Sequence, residues 1–137
     1  MEELTIRPLK IEDYDTILVE WWKEWEWTPP TRAFLPDDGT GGVIVYDGDT
    51  PICAGFMYMT NSKVSWVDWI ISSRKYTKKP MRKEAIMLLV STLTEISKNL
   101  GNEYCYALIK NKSLIDTYKE IGYVKGDEYV GEMIKIL

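Results

Sequence analysis

The stretch from residue 63 to residue 100 constrains the fold more than any other part of the chain. Residues 64–71 are an apolar run of strand length, and residues 83–99 place apolar side chains on one helical face. Gly101 and Asn102 end this helix, and a second apolar run follows at residues 104–109. A strand, a long helix and another strand predict a βαβ crossover, so we expect the two strands to lie parallel in one sheet.

Four cationic residues mark the start of this helix. They are Lys78, Lys79, Arg82 and Lys83, in a loop of residues 72–83. The N-terminus of a helix carries partial positive charge, which disfavours cations unless an anion joins them. The pattern therefore favours a site for a phosphate-bearing ligand at the turn from strand to helix. A solvated basic loop is the alternative.

The segments before this unit predict a mostly antiparallel sheet. Residues 4–9, 42–46 and 52–59 have the pattern of strands, and Asp47-Gly48-Asp49 predicts a hairpin turn between the second and the third. Together with residues 64–71, the hairpin strands are expected to form an antiparallel meander. Apolar residues at helical spacing predict a first helix over residues 13–25.

The segment after the crossover predicts one more helix and two closing strands. We expect the helix to cover residues 113–121, with Ser113 as N-cap, Asp116 completing a capping box and Gly122 at the end. Residues 123–124 and 129–136 are then predicted as strands. The element order becomes β-α-β-β-β-α-β-α-β-β.

Size and charge exclude several classes of function. The 137 residues predict one domain, and the net charge of −4 argues against nucleic-acid binding because the field repels phosphate backbones. No apolar run approaches the roughly 20 residues that span a bilayer, so we expect no membrane partner. The acidic N-terminus has no signal-peptide pattern, which predicts a cytoplasmic protein.

The chemistry available to the chain is limited by its residue types. Because the sequence has no histidine, Ser-His-Asp and Cys-His catalysis and the usual zinc sites are excluded. Acid-base catalysis would have to use carboxylates, tyrosine, lysine, cysteine or water. Cys53 and Cys105 lie within apolar runs and are expected to be buried free thiols.

The order of elements and several short motifs together resemble the GCN5-related N-acetyltransferase family. In the C-terminal helix, Asn111, Tyr118, Gly122 and Tyr123 fall at the spacing of the family's signature, although Leu114 replaces a small residue. The N-terminal residues 4–8, followed by Asp13 and Tyr14, and the strand at 52–56 also match. The resemblance implies a single α/β (α+β) domain over residues 1–137. Its sheet is mixed and mostly antiparallel, with one parallel strand pair and flanking helices.

The basic loop departs from the family's pattern. The family binds the pyrophosphate of acetyl-CoA with a glycine-containing loop, whereas residues 74–85 contain no glycine, and Pro80 lacks an N–H donor. This degenerate loop leaves two interpretations open. Lysine and arginine side chains replace the backbone donors, or the loop no longer binds the cosubstrate.

The resemblance implies roles for specific residues. Tyr118 corresponds to the acid that protonates the departing CoA thiolate, and packing on the helix face is its alternative. Asp68, the only carboxylate in its strand, becomes a candidate general base because burial raises a carboxyl pKa. It is expected to share a face with Val64, Trp66 and Ile70, and a structural or solvated position is the alternative. The acetyl-CoA site would use Trp69, Ile70, Ile71, Lys78, Lys79, Arg82, Lys83 and Asn111, and no metal is expected.

The resemblance also assigns the first helix and its following loop to the acceptor side. Several aromatic residues would line that entrance beside acidic ones and favour a cationic amine. They are Trp21, Trp22, Trp25, Trp27 and Phe34. Packing of the helix on the sheet is the alternative. The expected partner is an amine-bearing acceptor, either a small molecule or a protein lysine, and a homodimer stays open. A catalytically inactive binding module on the same fold is the alternative function.

Overall fold

The computed structural model describes residues 3–137, and within that range it contains five strands and three α-helices. The elements are β1 Leu4–Pro8, α1 Val19–Glu24, β2 Gly42–Asp47, β3 Thr50–Met59, β4 Val64–Ser72, α2 Met81–Asn99, β5 Tyr104–Tyr106 and α3 Lys112–Ile121. A turn of π-helix, Tyr14–Leu18, leads directly into α1. Two short 3-10 turns, Arg32–Phe34 and Pro36–Gly39, precede β2.

The five strands form one sheet in chain order, from β1 at one edge to β5 at the other. The first four strands pair antiparallel, and β5 runs parallel to β4 after the α2 crossover. The antiparallel meander and the parallel pair that the sequence predicts are thus confirmed. Gly48, with φ +60°, allows the tight turn between β2 and β3.

Helices cover both faces of the sheet, which gives the protein two apolar layers. In the first layer, Leu89 and Leu93 of α2 pack in one buried cluster with Val67 of β4. In the second layer, Trp22 of α1 packs in one buried cluster with Phe56 of β3. Each large side chain that is buried in this way stabilises the fold by about 1.5–3 kcal/mol.

A bulge in β4 decides which way its side chains point. Trp69 has φ +57°, and the β3–β4 register shifts at this point so that Gly55 has no partner residue in β4. An extra residue in one strand interrupts the alternation of side chains. Asp68 lies opposite Phe56 on the α1 side, and Trp69 packs on the same side. Ile70 packs with the α2 layer, so the prediction that it shares a face with Asp68 is wrong.

The last helix differs from its predicted start. Asn111, not Ser113, is the N-cap of α3, because its side chain accepts a hydrogen bond from the Leu114 N–H at 3.0 Å. The capping box of Ser113 and Asp116 is therefore wrong. Gly122 ends the helix with φ +114°, as the sequence predicts.

The boundaries of the crossover also differ from the sequence pattern. Helix α2 begins at Met81 rather than at residue 83, and β5 ends at Tyr106 rather than at residue 109. The closing strands predicted over 123–124 and 129–136 are absent from the structure of residues 3–137. Gly126 and Gly131 interrupt that segment, and glycine weakens a strand because it contributes no side chain to the sheet surface.

An ion pair ties the start of the first helical segment to β1. Arg7 donates to both carboxylate oxygens of Asp13 at 2.7 and 3.0 Å, and the Lys10 N–H donates to the same carboxylate at 2.7 Å. Burial alone would raise the pKa of Asp13, but these donors outweigh it and the pKa is lowered. The Arg7 guanidinium also contacts the ring and hydroxyl of Tyr46.

We expect Asp13→Asn to destabilise the protein by about 2 kcal/mol at pH 7, because charged hydrogen bonds of this kind contribute roughly 1.5–3 kcal/mol. A lowered carboxyl pKa stabilises the folded state above the ordinary value of 3.8. This contribution is lost as the pH falls through the lower folded-state pKa. Chemical denaturation at several pH values should show the two proteins converging in acid. Asp49→Asn, at an exposed turn, is the control and should change little.

Candidate active site

An opening lies where β4 and β5 separate. Their ladder pairs Val64 with Tyr104, Ser65 with Cys105 and Trp66 with Tyr106, and then it ends. Within residues 3–137, no strand pairs with β4 on this side beyond Trp66. We call this region the β4–β5 opening, bounded by residues 67–72 on one side and 107–111 on the other.

Tyr118 reaches the β4–β5 opening from α3. Its hydroxyl donates to the Val67 carbonyl oxygen at 2.8 Å, and its side chain is buried. Burial raises the phenol pKa far above its usual value of 10, and the nearby Asp68 charge raises it further. The hydroxyl therefore stays protonated at neutral pH and can donate a hydrogen bond. Its ring also packs edge-on against Tyr123, with 4.8 Å between centroids.

Asp68 lies on β4 at the same opening and bridges its two sides. One carboxylate oxygen accepts from the Trp69 N–H at 3.0 Å, and the other accepts from the Leu108 N–H at 2.9 Å. Burial raises the pKa of Asp68, although these two hydrogen bonds oppose the shift. A carboxylate has about four acceptor positions, so two of them are left for a ligand.

The three residues predicted to hold the pantetheine arm follow Asp68 directly. Trp69 turns its indole edge-on to Trp22 and to Phe34, with centroids 6.4 and 5.5 Å apart. Ile71 is buried in the α1 layer, and Ile70 is half-buried in the α2 layer. Their side chains therefore serve packing. The role of their backbone along the β4–β5 opening stays a prediction.

The four predicted phosphate-binding cations lie around the start of α2, but most contact the protein itself. Arg82 donates to the Tyr76 carbonyl oxygen and to the Ser72 hydroxyl. Lys83 pairs with Glu120 of α3 at 3.0 Å. Lys78 is exposed and lies 3.9 Å from the Asp47 carboxylate, to which Tyr76 also donates.

Lys79 and the first turn of α2 differ from these three cations. Lys79 is exposed, and no side-chain cap satisfies the N-terminus of α2, where Pro80 occupies the cap position. The loop can thus offer an exposed ammonium beside the positive end of a long helix. By charge, these groups fit a phosphate ester.

Trp25 supports the basic loop, and the sequence alone did not indicate this role of Trp25. Its indole N–H donates to the Ser72 carbonyl oxygen at 2.8 Å, and the guanidinium groups of Arg74 and Arg82 lie 5.4 and 5.6 Å from its ring centre. Glu24 accepts from the Arg74 N–H at 3.0 Å. The end of α1 and the basic loop are therefore one packed unit.

The other aromatic residues predicted for the acceptor side divide into two groups. Trp21 and Trp22 are buried in the core, so packing accounts for them. Trp27 is 54% exposed and stacks on Trp25, and Phe34 is 43% exposed beside Trp69. Asn111 caps α3 with its side chain. Its contact with the cosubstrate stays a prediction.

The described part of the chain, residues 3–137, has no group of three or more Cys, Asp or Glu side chains that could hold a metal ion. In the same range, no helix is both long and apolar enough to cross a bilayer. Cys53 and Cys105 are free thiols, and Cys53 is buried whereas Cys105 is half-buried.

Comparisons with known proteins identify the fold. No family model and no curated protein matches the chain. Among solved structures, one from meticillin-resistant Staphylococcus aureus, a probable acetyltransferase, is 21% identical over 99% of this chain and 100% of its own, with a TM-score of 0.66. Glucosamine-6-phosphate N-acetyltransferase from Arabidopsis thaliana is 14% identical over 98% and 100%, with a TM-score of 0.65.

A third structure was solved with CoA. It is an aminoglycoside N-acetyltransferase, 12% identical over 99% of this chain and 97% of its own, with a TM-score of 0.66. The chain thus has the GCN5-related N-acetyltransferase fold over almost its whole length, and the fold predicted from the sequence is confirmed. At these identities, the similarity establishes architecture and leaves the activity to be argued from the site.

Proposed function

We propose that this chain, as one domain, transfers an acetyl group from acetyl-CoA to a primary amine of a small molecule or a protein. One observation carries the proposal. A protonated, buried phenol (Tyr118) and a half-buried carboxylate (Asp68) both lie where β4 and β5 separate. Solved proteins of this fold include N-acetyltransferases, one of them in complex with CoA.

The cosubstrate would bind along β4 and reach the start of α2. The backbone of residues 69–71 would hold the pantetheine arm in the β4–β5 opening. The phosphates would meet the Lys79 ammonium and the uncapped N-terminus of α2, with Lys78 close by. Lysine side chains thus replace the glycine-loop donors that the sequence lacks.

The reaction requires a neutral amine and a stabilised leaving thiolate. Asp68 would hold the incoming ammonium and accept its proton, directly or through water. The amine nitrogen then forms a bond with the thioester carbonyl carbon, and the carbon–sulfur bond breaks. Tyr118 would stabilise the departing thiolate by a hydrogen bond. Its pKa lies far above a thiol's value of about 8.5, so full proton transfer from it is uphill. The second proton of the amine ends on the thiolate.

A binding module without catalysis is the second candidate. It is favoured by the contacts that Lys78, Arg82 and Lys83 make with the protein itself. These contacts leave fewer cations for phosphates than the sequence suggests. Both candidates keep the fold, so ligand binding and turnover must be measured separately.

Calorimetric titration tests the proposed cosubstrate site. We expect acetyl-CoA to bind more tightly than S-acetylpantetheine, which lacks the nucleotide phosphates, and the difference should shrink at high salt. Lys79→Gln should weaken acetyl-CoA binding about threefold, because an exposed ion pair contributes up to roughly 1 kcal/mol.

The control for this titration is Lys98→Gln, at the opposite end of α2, which should leave the affinity unchanged. Absence of binding at millimolar acetyl-CoA would contradict the proposed function. Equal affinities for acetyl-CoA and S-acetylpantetheine would show that the basic loop does not contribute to cosubstrate binding.

A further inference from the structure

Three aromatic side chains form a row on the sheet beside Asp68. Tyr58 of β3 lies opposite Trp66 of β4, and Trp66 is in register with Tyr106 of β5. Residues in register on neighbouring strands point to the same side of a sheet. The rings of Trp66 and Tyr106 are in contact, with 4.5 Å between their centroids. We call these three residues the aromatic row.

The aromatic row and the Asp68 carboxylate share one face. Asp68 is two residues after Trp66, before the bulge at Trp69, so the two side chains point to the same side. The Asp68 charge is also felt at the Tyr58 hydroxyl, whose pKa it raises in addition to the effect of burial. The row therefore leads directly to the proposed ammonium site.

The aromatic row is accessible and carries no positive charge. Tyr58 and Trp66 are half-buried, and Tyr106 is exposed. Asp68 is the only charged residue in β3, β4 and β5. A ligand on this surface thus meets aromatic rings and the negative charge of Asp68, and the charge of Asp127 also acts on Tyr106. Both charges and the rings attract a cation with an apolar body.

We propose that the acceptor is an arylalkylamine, with its ammonium group at Asp68 and its aromatic body on the row of Tyr58, Trp66 and Tyr106. The proposal rests on the proposed acetyl transfer and names the substrate class of that same site. An acceptor with a phosphate group is disfavoured. It would place a second negative charge near Asp68 on strands that carry no lysine or arginine.

The aromatic row also predicts how shortening the Trp66 side chain changes acceptor binding. Trp66 offers the largest ring, so Trp66→Leu removes stacking from the body of the acceptor and leaves the ammonium site in place. Stacking and cation–π contacts are worth about 0.5–2 kcal/mol, so we expect KM for 2-phenylethylamine to rise about tenfold. KM for acetyl-CoA should stay unchanged, and so should kcat/KM for ethylamine, which has no aromatic body.

The experiment measures thiol release from acetyl-CoA with 2-phenylethylamine, ethylamine, glucosamine 6-phosphate and a lysine-containing peptide. We expect kcat/KM to be at least about tenfold higher for 2-phenylethylamine than for the other three acceptors. Leu100→Ala, at an exposed residue that ends α2 and lies outside the row, is the control and should change none of these values. Trp66→Phe keeps a ring and should retain most of the affinity for 2-phenylethylamine. It is the variant to use if Trp66→Leu folds poorly.

The outcomes separate the two proposals. Faster transfer to glucosamine 6-phosphate or to the peptide would overturn the arylalkylamine assignment and leave acetyl transfer standing. An equal loss with ethylamine and 2-phenylethylamine in a folded Trp66→Leu protein would also overturn it. Failure of every amine to release thiol would contradict both proposals.

Discussion

Replacing Tyr118 by phenylalanine should lower kcat about a hundredfold, because loss of one hydrogen-bond donor to a developing negative charge costs roughly 10²–10³ in rate. KM for acetyl-CoA should change little, since the hydroxyl acts on the thiolate that forms only as the thioester breaks. The high pKa of this buried phenol adds a second expectation. The rate should not fall between pH 8 and 10 through ionisation of Tyr118.

Tyr123→Phe is the matched control for this experiment. The Tyr123 hydroxyl forms a hydrogen bond with the Thr94 hydroxyl at 2.7 Å, and the Tyr123 ring contacts Tyr118. The substitution therefore removes a similar hydroxyl from the same cluster. Both variants should lose about 1 kcal/mol of stability, the usual net value of a hydrogen bond. Equal kcat values for Tyr118→Phe and the wild type would show that the Tyr118 hydroxyl has only a structural role, its hydrogen bond to the Val67 carbonyl.

Asp68→Ala should have the second large effect, on both stability and activity. It leaves the N–H groups of Trp69 and Leu108 without their acceptors. The Leu108 N–H is exposed and can bond to water, whereas the Trp69 N–H is partly buried, and such a donor left unpaired costs about 1–3 kcal/mol. We therefore expect a loss of about 1–3 kcal/mol in denaturation. In the protein that stays folded, kcat/KM for the amine should fall by about 10²-fold or more, the usual contribution of a positioned base.

Asp68→Asn separates the structural role of this side chain from its charge. The amide keeps one acceptor oxygen, so stability should recover in part while activity stays low. The raised pKa of Asp68 means that the wild-type amine kcat/KM should increase as the pH rises through it. Between pH 3.8 and the raised pKa of Asp68, ionisation of this buried carboxyl lowers the free energy of unfolding of the wild type. Asp68→Asn has no carboxyl to ionise there and should not lose stability over this range. An Asp68→Asn enzyme with full activity would exclude a proton-accepting role.

The sequence predicted the architecture because its signals are local. The hairpin turn at Gly48, the apolar runs and the periodic helix of residues 83–99 each have one strong interpretation, and their order leaves few topologies. Tyr118 and Asp68 are candidates from the sequence because one matches a spaced motif and the other is a lone charge in an apolar strand. Both lie at the β4–β5 opening.

Other parts of the site depend on contacts between distant segments. No local pattern shows that Trp25 supports the basic loop, or that Glu120 of α3 pairs with Lys83. The bulge at Trp69 changes the direction of Ile70 because one residue with positive φ breaks a simple alternation. The row of Tyr58, Trp66 and Tyr106 likewise requires the register of three strands.

Transfer of a labelled acetyl group tests the account most directly. Acetyl-CoA labelled in the acetyl group would be incubated with the protein and 2-phenylethylamine, and the N-acetylated product would be quantified together with released thiol. We predict equal amounts of both products, with formation of each reduced about a hundredfold in Tyr118→Phe. Tight binding of acetyl-CoA without any labelled amide, from 2-phenylethylamine or from the other three acceptors, would contradict the account and identify the chain as a binding module.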